Sequence, residues 1–166
     1  MGRCFAVDME TPEKATDSDR TQLDDLGLVR MTEEACWTFL ERHHLGRVAV
    51  VDFGRPVVYP VNYGLDGRRV VFRTAPGTKL ISAALGGPAT FEVDEADPLF
   101  ESGSSVMVHG HLREITEPGE RARLLQLPIR PWAPGARDHV VCVEPERVSG
   151  RQISVTVADA LAVDGG

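Results

Sequence analysis

The chain has 166 residues, with 18 Lys and Arg against 25 Asp and Glu and a formal net charge of −7. That balance disfavours general binding to nucleic acid or anionic lipid, because neutralising phosphates needs clustered Lys and Arg. Three scattered cysteines, Cys4, Cys36 and Cys142, suggest neither a disulfide framework nor a zinc site, and no run of about eighteen apolar residues marks a membrane span. One cytoplasmic globular domain, without an apolar leader, is the expectation.

Residues 1–28 are polar and aperiodic, which predicts a disordered arm; residues 155–166 predict a flexible tail, leaving 29–154 as the folded domain. Thr32 is placed to cap a helix running to about His44. Glu33 and Glu34 suit its positive first turn, Cys36, Phe39 and Leu40 recur at helical spacing, and His43-His44 suit its C-terminus. After Gly46, the runs RVAVV, PVVYPVNY and RRVVFRT are β-branched and aromatic, and Phe53-Gly54-Arg55 and Asp66-Gly67 separate them. They predict a three-strand meander. Thr78 is then expected to cap a short helix to about Leu85, stopped by Gly86-Gly87. PATFEVD and SSVMVHGHLREI resume strand character, with Gly110 marking a bulge or a barrel corner. A short helix from Pro118 or Gly119 to Leu127, the turn-rich IRPWAPGARD and the strand HVVCVEPERVSGRQI complete the domain. Six or seven strands with helices only in the connections predict a mainly β, antiparallel barrel rather than βαβ units.

Candidate chemistry concentrates in VVFRTAPGTKLISAAL. There Arg73 and Thr74 end a strand, Pro76-Gly77 turns the chain, and Thr78 and Lys79 open a helix. Backbone N–H groups at a helix start attract a phosphate, Thr hydroxyls donate to its oxygens, and Lys or Arg neutralises it. The same residues also read as an ordinary helix cap beside a solvated lysine. His109 and His111 share one strand face, but no third ligand stands at matching spacing, so a hydrogen-bonding role is expected rather than a metal site. Trp37 reads as packing, and Cys36 and Cys142 as buried, inert thiols. No Ser-His-Asp or Cys-His motif is present, and Gly103-Ser104-Ser105 is not a nucleophile elbow, so hydrolase chemistry is not supported.

The order helix, Gly46-Arg-Val-Ala-Val, Pro60-Val-Asn-Tyr63, Asp66-Gly67, Val71-Phe-Arg-Thr74, Gly77-Thr-Lys79, Phe91-Glu-Val-Asp94, Ser105-Val-Met-Val-His-Gly110 resembles the pyridoxamine 5'-phosphate oxidase-like family of split β-barrels. The likeness is to its flavin-binding branch related to nitroimidazole-resistance reductases. It spans about Met31 to Ile153 and implies a Greek-key split barrel of six to seven antiparallel strands with short flanking helices. It further implies a homodimer whose subunits share a groove for FMN, or alternatively a deazaflavin. Carried over, Arg73, Thr74, Thr78 and Lys79 would hold the phosphate, and Pro60, Val61, Asn62 and Tyr63 would edge the ring. Asn62 suits a ring edge because its amide both donates and accepts, although Asn62-Tyr63-Gly64 also reads simply as a strand end. His109 would lie near the cofactor cleft. Trp132 would face the ring, or plug the barrel mouth, or do both. The implied activity is that of an oxidoreductase acting on a small organic substrate, with a non-enzymatic flavin-nucleotide binder or sensor as the alternative. Ser104 stands where related sequences carry an aromatic residue. The C-terminal Trp and Arg-rich segment that grips vitamin B6 is not recognisable, so true pyridoxamine phosphate oxidase activity is not implied.

Overall fold

The computed structural model describes residues 28–99, 101–132 and 135–153. The expected arm and tail lie outside the described residues, apart from Leu28. In chain order the elements are β1 (Val29–Met31), α1 (Glu33–Glu41), β2 (Leu45–Asp52), β3 (Arg55–Asp66), β4 (Arg69–Thr74), α2 (Thr78–Ala84), β5 (Pro88–Asp97), β6 (Ser102–Glu114), α3 (Pro118–Leu124) and β7 (His139–Ile153). The strands are antiparallel in the order β1-β7-β4-β3-β2-β5-β6, and β7 also pairs with β6, which closes β2 to β7 into a barrel.

Two long strands make the closure. β3 pairs with β2 over Arg55–Asn62 and with β4 over Tyr63–Asp66, while β7 lies along β6 on one edge and along β4 and then β1 on the other. The mainly β fold expected from the strand pattern is therefore present. β1 is the strand that the sequence does not announce, because three residues are too few to show an alternation. Gly110 sits at the register shift between β6 and β7, as its position inside a strand predicts. A Cβ there would lie 1.9 Å from the carbonyl oxygen of Glu144, so only glycine lets the two backbones approach.

Inward residues of the strands, among them Val48, Val70, Phe72, Phe91, Val106, Val108 and Val141, are fully buried. Each large apolar side chain removed from water contributes about 1.5–3 kcal/mol. α1 closes one side with Cys36, Trp37, Phe39 and Leu40. Its start matches expectation: Thr32 accepts a hydrogen bond from the Ala35 N–H at 3.2 Å. Tyr63 anchors it to β3 by donating its hydroxyl to the Leu40 carbonyl at 2.6 Å, and burial pushes that phenol's pKa up.

β4 and the start of β7 are covered on both faces. Val71, Val140 and Cys142 point away from the barrel into a second cluster with Ile115, Leu124 and Ile129, beneath α3. A double cover explains why Val70-Val71-Phe72 and Val140-Val141-Cys142-Val143 are continuous apolar runs rather than alternating ones. Burial raises the Cys142 thiol to about 12, which leaves it inert. Ion pairs hold α3 down: Arg69 donates to Asp66 and to Glu120, the latter at 2.8 Å, and Arg123 donates to both carboxylate oxygens of Asp66 at 2.5 and 3.0 Å.

α2 departs from expectation at its first residue. Its N-cap is Gly77, at φ 150°, a conformation that side-chain-bearing residues avoid, so Thr78 stands one position inside the helix and makes no capping bond. The Thr78 hydroxyl donates instead to Asp52 Oδ2 at 3.3 Å.

Candidate functional site

The basic residues after β4 come together. Arg73, half-buried, donates from Nε to the carbonyl oxygen of Arg137 at 3.2 Å. Lys79, on the first turn of α2, lies with Nζ 4.1 Å from the centroid of the Tyr59 ring. Burial and then the nearby Arg137 cation lower the Lys79 pKa, so Arg137 links the two residues that the sequence singles out. The Arg137 cation lies close enough to Lys79 to act on it, and Arg73 is tied to the Arg137 backbone, so the three basic residues share one partly buried neighbourhood. A phosphate monoester fits this donor set, with the Asp52 carboxylate at its edge on Thr78. α2 has only seven residues, so the cluster's hold on an anion rests on its side chains rather than on a helix dipole.

Arg137 was not a sequence candidate. It lies in a stretch that reads only as turns, and its place becomes visible once β7 pairs with β4, where Thr74 faces His139. Tyr59, which supplies the aromatic face under Lys79, was likewise not singled out.

The two threonines are placed differently from their expected role. Thr74 is 1% exposed and spends its hydroxyl proton on the Ala75 carbonyl at 3.1 Å, so its side chain points into the barrel. Thr78 is engaged by Asp52 as described above.

On β3 the pleat separates the ring candidates. Val61 and Tyr63 are buried in the core, so only their backbone is available to a ligand, whereas Pro60 is exposed and Asn62 half-exposed on the opposite face. Asn62 ties three segments. Its Nδ2 donates to the His44 carbonyl at 3.3 Å, and its Oδ1 accepts from the Trp132 N–H at 2.9 Å. The loop after α3 is thereby fixed beside β3. Trp132 itself is 73% exposed, which corrects the reading of it as a plug in the barrel mouth. Its indole instead stands on the surface, and its backbone N–H is what ties it to Asn62.

His109 is not part of the basic cluster. It faces outward from β6, with Nδ1 3.1 Å from the Thr90 hydroxyl, and burial followed by the Arg147 cation lowers its pKa. His111 faces Glu146 at 3.0 Å.

This closed antiparallel barrel of β2 to β7, with short helices only in its connections, defines a split-barrel class of small β protein. The chain belongs to the pyridoxamine 5'-phosphate oxidase family, whose model matches residues 32–152. It is 37% identical over 120 residues to the uncharacterised protein Rv0080 of Mycobacterium tuberculosis, an alignment covering 69% of this chain and 76% of that one. Its fold is similar to that of the FAD-binding protein from Mycobacterium smegmatis, with a TM-score of 0.63 and 32% identity over 75% of this chain and 97% of the other. The same fold recurs in a Bacteroides thetaiotaomicron protein assigned to 5-nitroimidazole antibiotic resistance, with a TM-score of 0.62 and 15% identity over 76% and 89% of the two chains. Among the described residues, no helix is long and apolar enough to cross a membrane.

Proposed function

We propose that the chain binds a flavin nucleotide by its phosphate and acts as a homodimeric oxidoreductase on a small organic substrate. The observation that carries this reading is the cluster of Arg73, Arg137 and Lys79 behind β4. Charge-assisted hydrogen bonds from such groups contribute roughly 1.5–3 kcal/mol each. Pro60 and Asn62, with Trp132 tied beside them, offer the ring a flat apolar edge together with a donor and an acceptor. When bound, the flavin supplies the electron-transfer chemistry; the chain needs only to hold, orient and shield it. The absence of a hydrolytic motif agrees with that division of labour.

Support for two subunits comes from the outer sheet face, where Leu45, Val51 and Val58 are 41%, 53% and 58% exposed. Apolar groups gathered on a strand face mark an association surface. Sedimentation of the full chain is expected to show a dimer at micromolar concentration; a monomer would contradict the shared groove.

A single phosphate cradle suits FMN. The 32% identity to a protein that binds FAD favours a second reading, in which the ligand is the dinucleotide. The visible absorption spectrum of the purified chain, followed by mass spectrometry of whatever is released, decides between them. Protein that stays colourless after incubation with excess FMN and FAD contradicts flavin binding altogether. Consumption of reduced nicotinamide with small organic acceptors is expected of the loaded protein, and its absence would reduce the role to binding.

A further inference from the structure

The hairpin that joins β2 to β3 ends in a turn of two residues, Phe53 and Gly54, between the paired Asp52 and Arg55. Both turn residues have positive φ, 46° and 75°, as the tight mirror-image hairpin turn requires. Asn-Gly or Gly-Gly suits that turn, whereas a phenylalanine in the left-handed region is strained because its Cβ crowds the backbone. Phe53 is also fully exposed, so within one copy no packing offsets the strain. The neighbouring surface is apolar as well. The Thr78 hydroxyl, bonded to Asp52, holds α2 beside the hairpin, and Ile81 and Leu85, three and seven residues further on, are exposed along the same side of that helix.

A groove lies next to this hairpin. Ala49, Val51, Pro56, Pro88 and Thr90 line it, with a volume of about 490 Å³, and His111 and Glu146, paired with each other at 3.0 Å, border it. The strand register makes it continuous with the exposed apolar face, because Val58 stands opposite Ala49 and Pro56 opposite Val51. Val51 and Pro56 are each two residues from the turn, about 7 Å along the hairpin. A twofold axis passing between turn and groove would set each Phe53 over the groove of the other copy, since a twofold contact is self-complementary. A buried phenylalanine covers about 150–250 Å², roughly a quarter of the ~800 Å² that each partner of a stable dimer buries. Leu45, Val58, Ile81 and Leu85 extend the contact. An anionic lipid surface, by contrast, repels a chain of formal net charge −7 and leaves the groove without a role.

We propose that Phe53 anchors a twofold dimer of this chain by seating in the groove of the second copy. The proposal rests on the two-subunit part of the functional reading and is independent of the cofactor. Through the bond between Asp52 and Thr78, the contact stands beside the helix turn that carries Lys79.

Sedimentation equilibrium of the full chain over a concentration series, without added flavin, tests it. Phe53→Asn installs the residue pair that the turn prefers, so circular dichroism should show the fold retained while dimer affinity falls about a hundredfold, two anchors being lost per dimer. Phe53→Gly, whose Gly-Gly pair suits the same turn, should behave alike. Ala49→Lys fills the groove, leaves the turn untouched and should weaken the dimer to a similar degree. An equal mixture of Phe53→Asn and Ala49→Lys restores one anchor in one intact groove, so it should associate about tenfold more tightly than either variant alone. A dimer that the Phe53 variants leave at full affinity, or a mixture no tighter than its components, would overturn the anchor while the two-subunit reading stands. An unaltered chain that sediments as a monomer overturns both, and the absorption spectrum judges the cofactor separately. Binding of that monomer to phosphatidylcholine vesicles, lost in Phe53→Asn, would assign the hairpin to a lipid surface and equally overturn the proposal.

Discussion

Lys79 is held between an aromatic face and another cation. Burial and then Arg137 make it release its proton more readily than an ordinary lysine, whose pKa is 10.5. Its charge is lost at a lower pH than a solvated lysine's, so affinity for a phosphate ligand should fall earlier in the alkaline range than an ordinary lysine would predict. Lys79→Met should weaken FMN about tenfold to a hundredfold, and Arg137→Gln about tenfold, in a fluorescence titration. Arg73 and Lys79 were legible because a strand, a Pro-Gly turn and a helix start put them within a few residues of each other. Arg137 was not, since its position depends on β7 pairing with a strand some sixty residues earlier. The burial of Thr74 was also hidden. Because β4 is covered on both faces, its sequence lacks the alternation that tells inward from outward.

At the scale of elements, the β6–β7 bulge and the clamp on α3 give the sharpest tests. Gly110→Ala drives a methyl into the Glu144 carbonyl. Such overpacking typically costs about 1–3 kcal/mol, and here the obstacle is backbone that cannot rotate away; the midpoint of urea unfolding should fall accordingly. The carboxyl of Asp66 is lowered to about 2, chiefly by the Arg123 hydrogen bond and further by Arg69, against the opposing effect of burial. Its folded pKa lies below the unfolded one, so the stabilisation is present above about pH 4 and is lost as pH falls through 2. Asp66→Asn should remove up to about 2 kcal/mol at neutral pH and flatten the acid limb of the stability profile measured by denaturation. Both hairpins, the bulge and the Thr32 cap were legible because turn residues and caps act locally. β1 was too short to show a period. The start of α2 was misplaced by one residue because a glycine took the cap from the threonine beside it.

For the whole molecule, the barrel and its family were legible from the spacing of motifs across nearly the entire core. The outward grooves and exposed apolar face were not, since they depend on how strands lie side by side and on what covers them. The account stands on a phosphate held by the cluster behind β4. It is tested most directly by titrating the full chain, in parallel, with FMN and with riboflavin, which has the same ring and no phosphate. FMN should bind about tenfold or more tighter than riboflavin, and Lys79→Met should close most of that gap. Equal affinities for the two ligands in the unaltered chain, or a gap that Lys79→Met leaves untouched, would contradict it.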